Sequence, residues 1–139
     1  MPKLLSDDAV AKYQRDGYYF PLDILSDAET RELRRKLEEY ETTTGGPIQG
    51  DLRHKAHLYL TWLNDLIRHP RILDAVEDVL GPNILCWSTS FFIKEASDPS
   101  FVSWHQDATY WGLSSPDVMT VWVAFTPANL LNGCMKFMP

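Results

Sequence analysis

Cysteine is scarce in this chain. Cys86 and Cys134 are the only two in 139 residues, and they form no Cys-x-x-Cys pair. That excludes a disulfide-stapled scaffold and a thiolate zinc cluster, and leaves two buried, reduced thiols in a cytoplasmic protein as the expectation. Long apolar runs are also missing. No stretch approaches the ~20 residues that cross a bilayer, and the opening Met-Pro-Lys-Leu-Leu-Ser-Asp-Asp lacks a secretory apolar region, so no membrane association is expected. Basic charge is in deficit: 13 Lys and Arg against 19 Asp and Glu give −6, with the cations dispersed. Neither nucleic acid nor an anionic membrane suits such a surface. There is no repeat, low-complexity tract or linker, and the 45% hydrophobic fraction is that of an ordinary globular protein. One domain with a modest core is expected over residues 1–139.

The first 82 residues read as mostly helical. Ser6 is placed to cap a helix that Gly17 stops. Tyr18-Tyr-Phe-Pro21 reads as a short edge strand. Ser26-Asp-Ala-Glu29 is a capping box; the helix it opens carries Leu33, Leu37 and Tyr40 on one face, and Thr43-Thr-Gly-Gly-Pro47 ends it. A short helix over 58–67 would present Leu63, Leu66 and Ile67. Pro70 starts another, with Ile72, Leu73, Val76, Val79 and Leu80 apolar and Gly81-Pro82 closing it. From residue 83 onward the pattern changes. Runs 84–94 and 118–126 are β-branched and aromatic, each of strand length. Helices first and strands second predict an α+β domain.

The chemistry concentrates in Trp104-His-Gln-Asp-Ala-Thr-Tyr-Trp111. In extended backbone His105 and Asp107 point to one face. An imidazole nitrogen and a carboxylate oxygen then lie side by side as two ligands of one metal ion. A second histidine would complete a 2-His-1-carboxylate facial triad, the non-haem Fe(II) arrangement that leaves positions open for co-substrate and O₂. Trp104, Tyr110 and Trp111 suit a water-poor cleft around it. The plainer reading makes these rings ordinary core and His105 a satisfied buried histidine, and periodicity leaves both open. Gln106 alternates away from the metal face.

The surrounding blocks carry a resemblance. Gly81-Pro-Asn-Ile-Leu85, Ser88-Thr-Ser-Phe-Phe-Ile-Lys94, the histidine motif, Asp117-Val-Met-Thr-Val-Trp-Val-Ala-Phe-Thr126 and Asn132-Gly-Cys-Met-Lys-Phe-Met-Pro139 follow one another in the order and spacing of the phytanoyl-CoA dioxygenase family. The match is close over the second half of the chain and looser over the first. The resemblance implies an Fe(II)- and 2-oxoglutarate-dependent oxygenase using O₂, and a double-stranded β-helix, a jelly roll of eight strands. About four such strands can be counted here. The implied fold is therefore α+β, with N-terminal helices packed on a β-helix core incomplete in this chain.

By the same resemblance His105 and Asp107 are the metal ligands. A carboxylate at Asp107 favours hydroxylation over halogenation, since halogenating members of the family carry a small residue there. Lys55, Ser90 and Trp122 are implied contacts of 2-oxoglutarate. For Lys55 the alternative is an exposed loop cation, and for Trp122 plain core packing. Lys94 reads as a solvated strand end. His54, His57 and His69 are the other histidines; His69, before Pro70, reads as a helix-terminus residue. The family's second metal histidine and its 2-oxoglutarate arginine lie downstream of the Asn-Gly-Cys-Met block, beyond Pro139. The chain is therefore expected to be C-terminally truncated relative to a longer enzyme. Two further readings stay open: a catalytically inactive truncated barrel that serves binding or assembly, and a Zn²⁺ hydrolase, for which no His-Glu-x-x-His helix speaks. A small-molecule substrate is expected; its identity and the oligomeric state are not legible.

Overall fold

The computed structural model describes residues 3–138. Its helices lie where local signals put them. Helix α1 (Asp7–Asp16) begins at Ser6, whose hydroxyl accepts from the Ala9 amide, and ends at Gly17 with φ 78°, whose N–H donates to the Tyr13 carbonyl. One orphaned backbone group at each end of the helix is thereby satisfied. Helix α2 (Asp27–Thr44) opens on a complete capping box: Ser26 Oγ accepts from Glu29 N, and the Glu29 carboxylate accepts from Ser26 N at 2.7 Å. It buries Leu33 and Leu37, with Tyr40 half-buried beside them. Two 3₁₀ turns, Gly50–Arg53 and Ala56–Leu58, lead into α3 (Thr61–Ile67), which buries Leu63. Helix α4 (Pro70–Leu80) has Pro70 in its first turn and Gly81 at its end, and buries Ile72, Ala75 and Val76.

Two small cores result. Leu5, Ala9 and Ala75 join α1 to α4, with Leu4, Val10 and Val79 packed around them. The Asp78 carboxylate fastens the same corner: it accepts from the backbone amides of Lys3, Leu4 and Leu5 at 2.6, 2.8 and 2.7 Å. The second core gathers Ala56, Leu60 and Leu63 with Tyr40, Trp62, Leu66, Phe91 and Phe125. Trp62, Phe91 and Phe125 meet there as a ring trio with centroids 6.1–6.4 Å apart. This trio is how the helices reach the rest of the chain, since Phe91 and Phe125 belong to the two runs expected to be strands.

Those runs do not form strands. Among the described residues there is no ladder; one isolated antiparallel bridge pairs His54 with Ser90. Tyr18–Pro21 likewise makes no strand, and Tyr18 instead stacks on Phe137 at 4.7 Å. The physical reason is that a strand exists only through its partner's hydrogen bonds. The backbone of 89–91 pairs with the loop around residues 53–55 through Lys55 N–Thr89 O at 2.7 Å and Phe91 N–Arg53 O at 3.0 Å, not with 118–126. Leu85, Phe92, Phe101, Leu130 and Leu131 consequently stay largely exposed. The α+β expectation is met in its helices, while the β-helix core is not formed among the described residues. No described helix is long and apolar enough to cross a membrane.

Candidate metal centre

His105 and Asp107 come together, though not through extended backbone. Asp107 has φ −56° and ψ −45°, a helical conformation, and leads directly into the short helix α5 (Ala108–Trp111). Amides of Thr109 and Tyr110 donate to the carbonyls of Gln106 and Asp107 at 3.2 and 3.0 Å, closing this turn. The turn folds the carboxylate back toward the imidazole, leaving His105 Nε2 and Asp107 Oδ1 3.2 Å apart. The expected adjacency holds; the expected extended geometry at Asp107 does not. Both side chains are partly open to solvent, and the Tyr110 ring stands edge-on to His105 at 5.8 Å.

The pair fits a divalent cation. Two donors about 2.1 Å from an ion and at right angles to each other lie about 3.0 Å apart, close to the separation found. The far atoms of both groups are already engaged. His105 Nδ1 lies 2.7 Å from the Ser103 carbonyl. A carbonyl can only accept, so Nδ1 is the donor in that contact, and Nε2 is the ring nitrogen that faces Asp107. Thr120 Oγ donates to Asp107 Oδ2 at 2.7 Å, while Oδ1 faces His105. Orienting hydrogen bonds of this kind are characteristic of metal-ligating His and Asp. Among the described residues no third His, Cys, Asp or Glu joins the pair.

The implied co-substrate contacts lie on three segments, two of which meet. Lys55 sits in left-handed backbone, φ 53°, with an exposed side chain. Ser90 Oγ is bonded to His54 Nδ1 at 2.9 Å, and the neighbouring Thr89 hydroxyl to His57 Nδ1 at 2.8 Å. Lys55 and Ser90 are therefore brought together by one loop-to-segment contact, which also engages His54 and the buried His57. Trp122 is two residues beyond Thr120 on the segment that reaches Asp107, and is 41% exposed. Among the described residues no hydrogen bond, ion pair or ring contact links Lys55, Ser90 or Trp122 to His105 or Asp107. Lys94 lies over Gly133, where an added Cβ would meet its Cδ at 2.8 Å. His69 is a helix-terminus residue, as expected, with Nε2 3.8 Å from the Glu29 carboxylate. Sequence reasoning missed Thr120 and Ser103. Thr120 shares the parity of Trp122 in its run, which was a usable signal; Ser103 acts through a carbonyl, which leaves no trace in residue type.

A histidine and a carboxylate 3.2 Å apart, each bonded at its far atom, could hold one cation between them. The family model for phytanoyl-CoA dioxygenase (PhyH) matches residues 13–139, and the chain belongs to that family of Fe(II)/2-oxoglutarate-dependent oxygenases. The family's cofactor set is Fe(II), 2-oxoglutarate and O₂, and its fold is a jelly roll. The chain is 26% identical to an L-proline trans-4-hydroxylase of Streptomyces griseoviridis, over 95% of this chain and 53% of that protein. It is 25% identical to an ectoine dioxygenase of Bordetella parapertussis, over 97% of this chain and 49% of the other. A probable alpha-ketoglutarate-dependent hypophosphite dioxygenase of Stutzerimonas stutzeri is 27% identical, over 96% of this chain and 46% of its own. The chain thus spans about half the length of the curated relatives it matches. No solved structure matches significantly.

Proposed function

We propose that this protein is an Fe(II)- and 2-oxoglutarate-dependent dioxygenase that hydroxylates a C–H bond of a small organic molecule. The observation that carries the reading is the 3.2 Å approach of His105 Nε2 to Asp107 Oδ1, with Nδ1 and Oδ2 already bonded elsewhere. When bound, the metal and its co-substrates supply the oxidation: 2-oxoglutarate and O₂ give succinate and CO₂, one oxygen atom entering succinate and the other the C–H bond. The chain's own residues bind and orient. His105 gives a neutral imidazole lone pair, and Asp107 gives one carboxylate oxygen and neutralises part of the metal charge. Retention of a carboxylate at Asp107 supports hydroxylation rather than halogenation. Lys55 is proposed to meet a carboxylate of 2-oxoglutarate with its ammonium group. Ser90 offers a hydroxyl and Trp122 an indole wall and Nε1–H to the same co-substrate. Residues 1–82 act as the helical support and 83–139 as the site-bearing part of one oxygenase domain.

Names of relatives point to small polar substrates: proline, ectoine and hypophosphite. Nothing in the chain supports an acyl-CoA site. The test is Fe(II)-dependent succinate release. His105→Ala and Asp107→Ala should each abolish it, and wild-type rates in either variant would overturn the assignment. A second reading, a non-catalytic binding or assembly module, draws on the exposed Leu85, Phe92, Phe101, Leu130 and Leu131. It predicts no succinate release and a dimer or partner complex on size exclusion.

A further inference from the structure

The segment 118–126 is packed against the helices near its end, where Phe125 lies between Trp62 of α3 and Phe91. It is entered by a tight local turn, in which the Ser115 hydroxyl bonds the Asp117 carboxylate and Val118 N donates to the Pro116 carbonyl at 2.7 Å. Thr120 lies between that turn and Phe125, and its hydroxyl reaches Asp107 Oδ2 at 2.7 Å. Resting on the metal-centre reading above, we propose that Thr120 is a positioning residue that makes Asp107 a one-oxygen ligand. By donating to Oδ2 it sets the carboxylate plane so that Oδ1 faces His105 Nε2, and it occupies the oxygen that would otherwise chelate. The coordination arithmetic gives this a purpose. A facial triad leaves three positions open, and a chelating 2-oxoglutarate plus O₂ uses all of them. A carboxylate binding through both oxygens would consume one. Released from Thr120, the carboxylate turns freely about Cβ–Cγ, and the pair loses its preorganisation.

The experiment is calorimetric titration of the full chain with Mn(II), a redox-inert stand-in for Fe(II). Thr120→Val preserves shape and removes the hydroxyl; Thr120→Ser preserves the hydroxyl and removes a methyl. The Val variant is expected to bind Mn(II) ~10–100-fold more weakly, and the Ser variant close to wild type. Unchanged or tighter Mn(II) binding by Thr120→Val overturns the proposal, as does a Ser variant as weak as the Val one. His105→Ala in the same titration separates the two levels. If it loses Mn(II) while Thr120→Val does not, the positioning role fails and the metal centre stands. If it binds like wild type, the metal-centre reading itself fails.

Discussion

Removing the Asp78 side chain should loosen the α1–α4 corner by an amount the geometry sets. Its two oxygens accept from three consecutive backbone amides, those of Lys3, Leu4 and Leu5, at 2.6–2.8 Å. Those amides precede α1, and without Asp78 they fall to water while Leu5 loses its seat against Ala9 and Ala75. Hydrogen bonds to a charged acceptor contribute roughly 1.5–3 kcal/mol each when shielded. This carboxylate is at the surface, where solvent screening leaves a fraction of that, so Asp78→Ala is expected to cost about 2 kcal/mol in all. Partial burial pushes the carboxyl pKa up, but the three amides and the Lys3 charge outweigh it and hold it below its ordinary 3.8. A carboxyl lowered on folding contributes stability that is fully present above the ordinary value and lost as pH falls through the folded one. Urea unfolding at neutral pH should therefore show the full gap between wild type and Asp78→Ala, and the gap should close as pH drops well below 3.8. A gap independent of pH, or a neutral-pH loss under ~0.5 kcal/mol, would refute the reasoning.

Phe125→Ala removes one member of the ring trio with Trp62 and Phe91. Because Phe125 is half-buried, a loss of about 2 kcal/mol is expected, below the full-core range. Mn(II) affinity should fall with it, since Phe125 anchors the segment carrying Thr120; urea unfolding and metal titration read the two effects, and preserved metal affinity would sever that link. Ser26→Ala breaks the capping box of α2 and should cost about 1 kcal/mol, seen as a lower thermal midpoint. An unshifted midpoint would mean that α2 is held by Leu33 and Leu37 alone.

The helices were legible because their signals are local. Ser6 with Gly17, Ser26 with Glu29, and Pro70 with Gly81 each act within one or two turns, and the backbone obeyed them. Runs 84–94 and 118–126 carry strand-forming residues, but β-branching specifies only a disposition toward extended backbone. Pairing depends on a second segment, and here 89–91 found residues 53–55. The His105–Asp107 pair was legible as two residue types at a spacing of two, whereas its geometry was not. Asp107 entered a helical turn rather than a strand, because the amides of Thr109 and Tyr110 close a turn at that point. Thr120 was hidden by its distance of 13 residues from Asp107, a contact made by tertiary approach alone.

That long-range contact also shows how the helical half bears on the chemistry. α3 touches neither His105 nor Asp107, yet Trp62 packs on Phe125, and Phe125 seats the segment from which Thr120 reaches Asp107. The stretch from His54 into the second 3₁₀ turn does the same for the other side, holding Ser90 through His54 and Thr89 through His57. Each of these two segments is therefore registered against the N-terminal half at a few aromatic, histidine or backbone contacts rather than along a ladder. Such contacts fix where a segment sits but leave apolar side chains such as Phe92 uncovered. A histidine and a carboxylate so held can lie within reach of one cation without a surrounding sheet. The 3.2 Å approach of His105 to Asp107 depends on their own turn, on the Ser103 carbonyl and on Thr120, none of which requires a closed barrel.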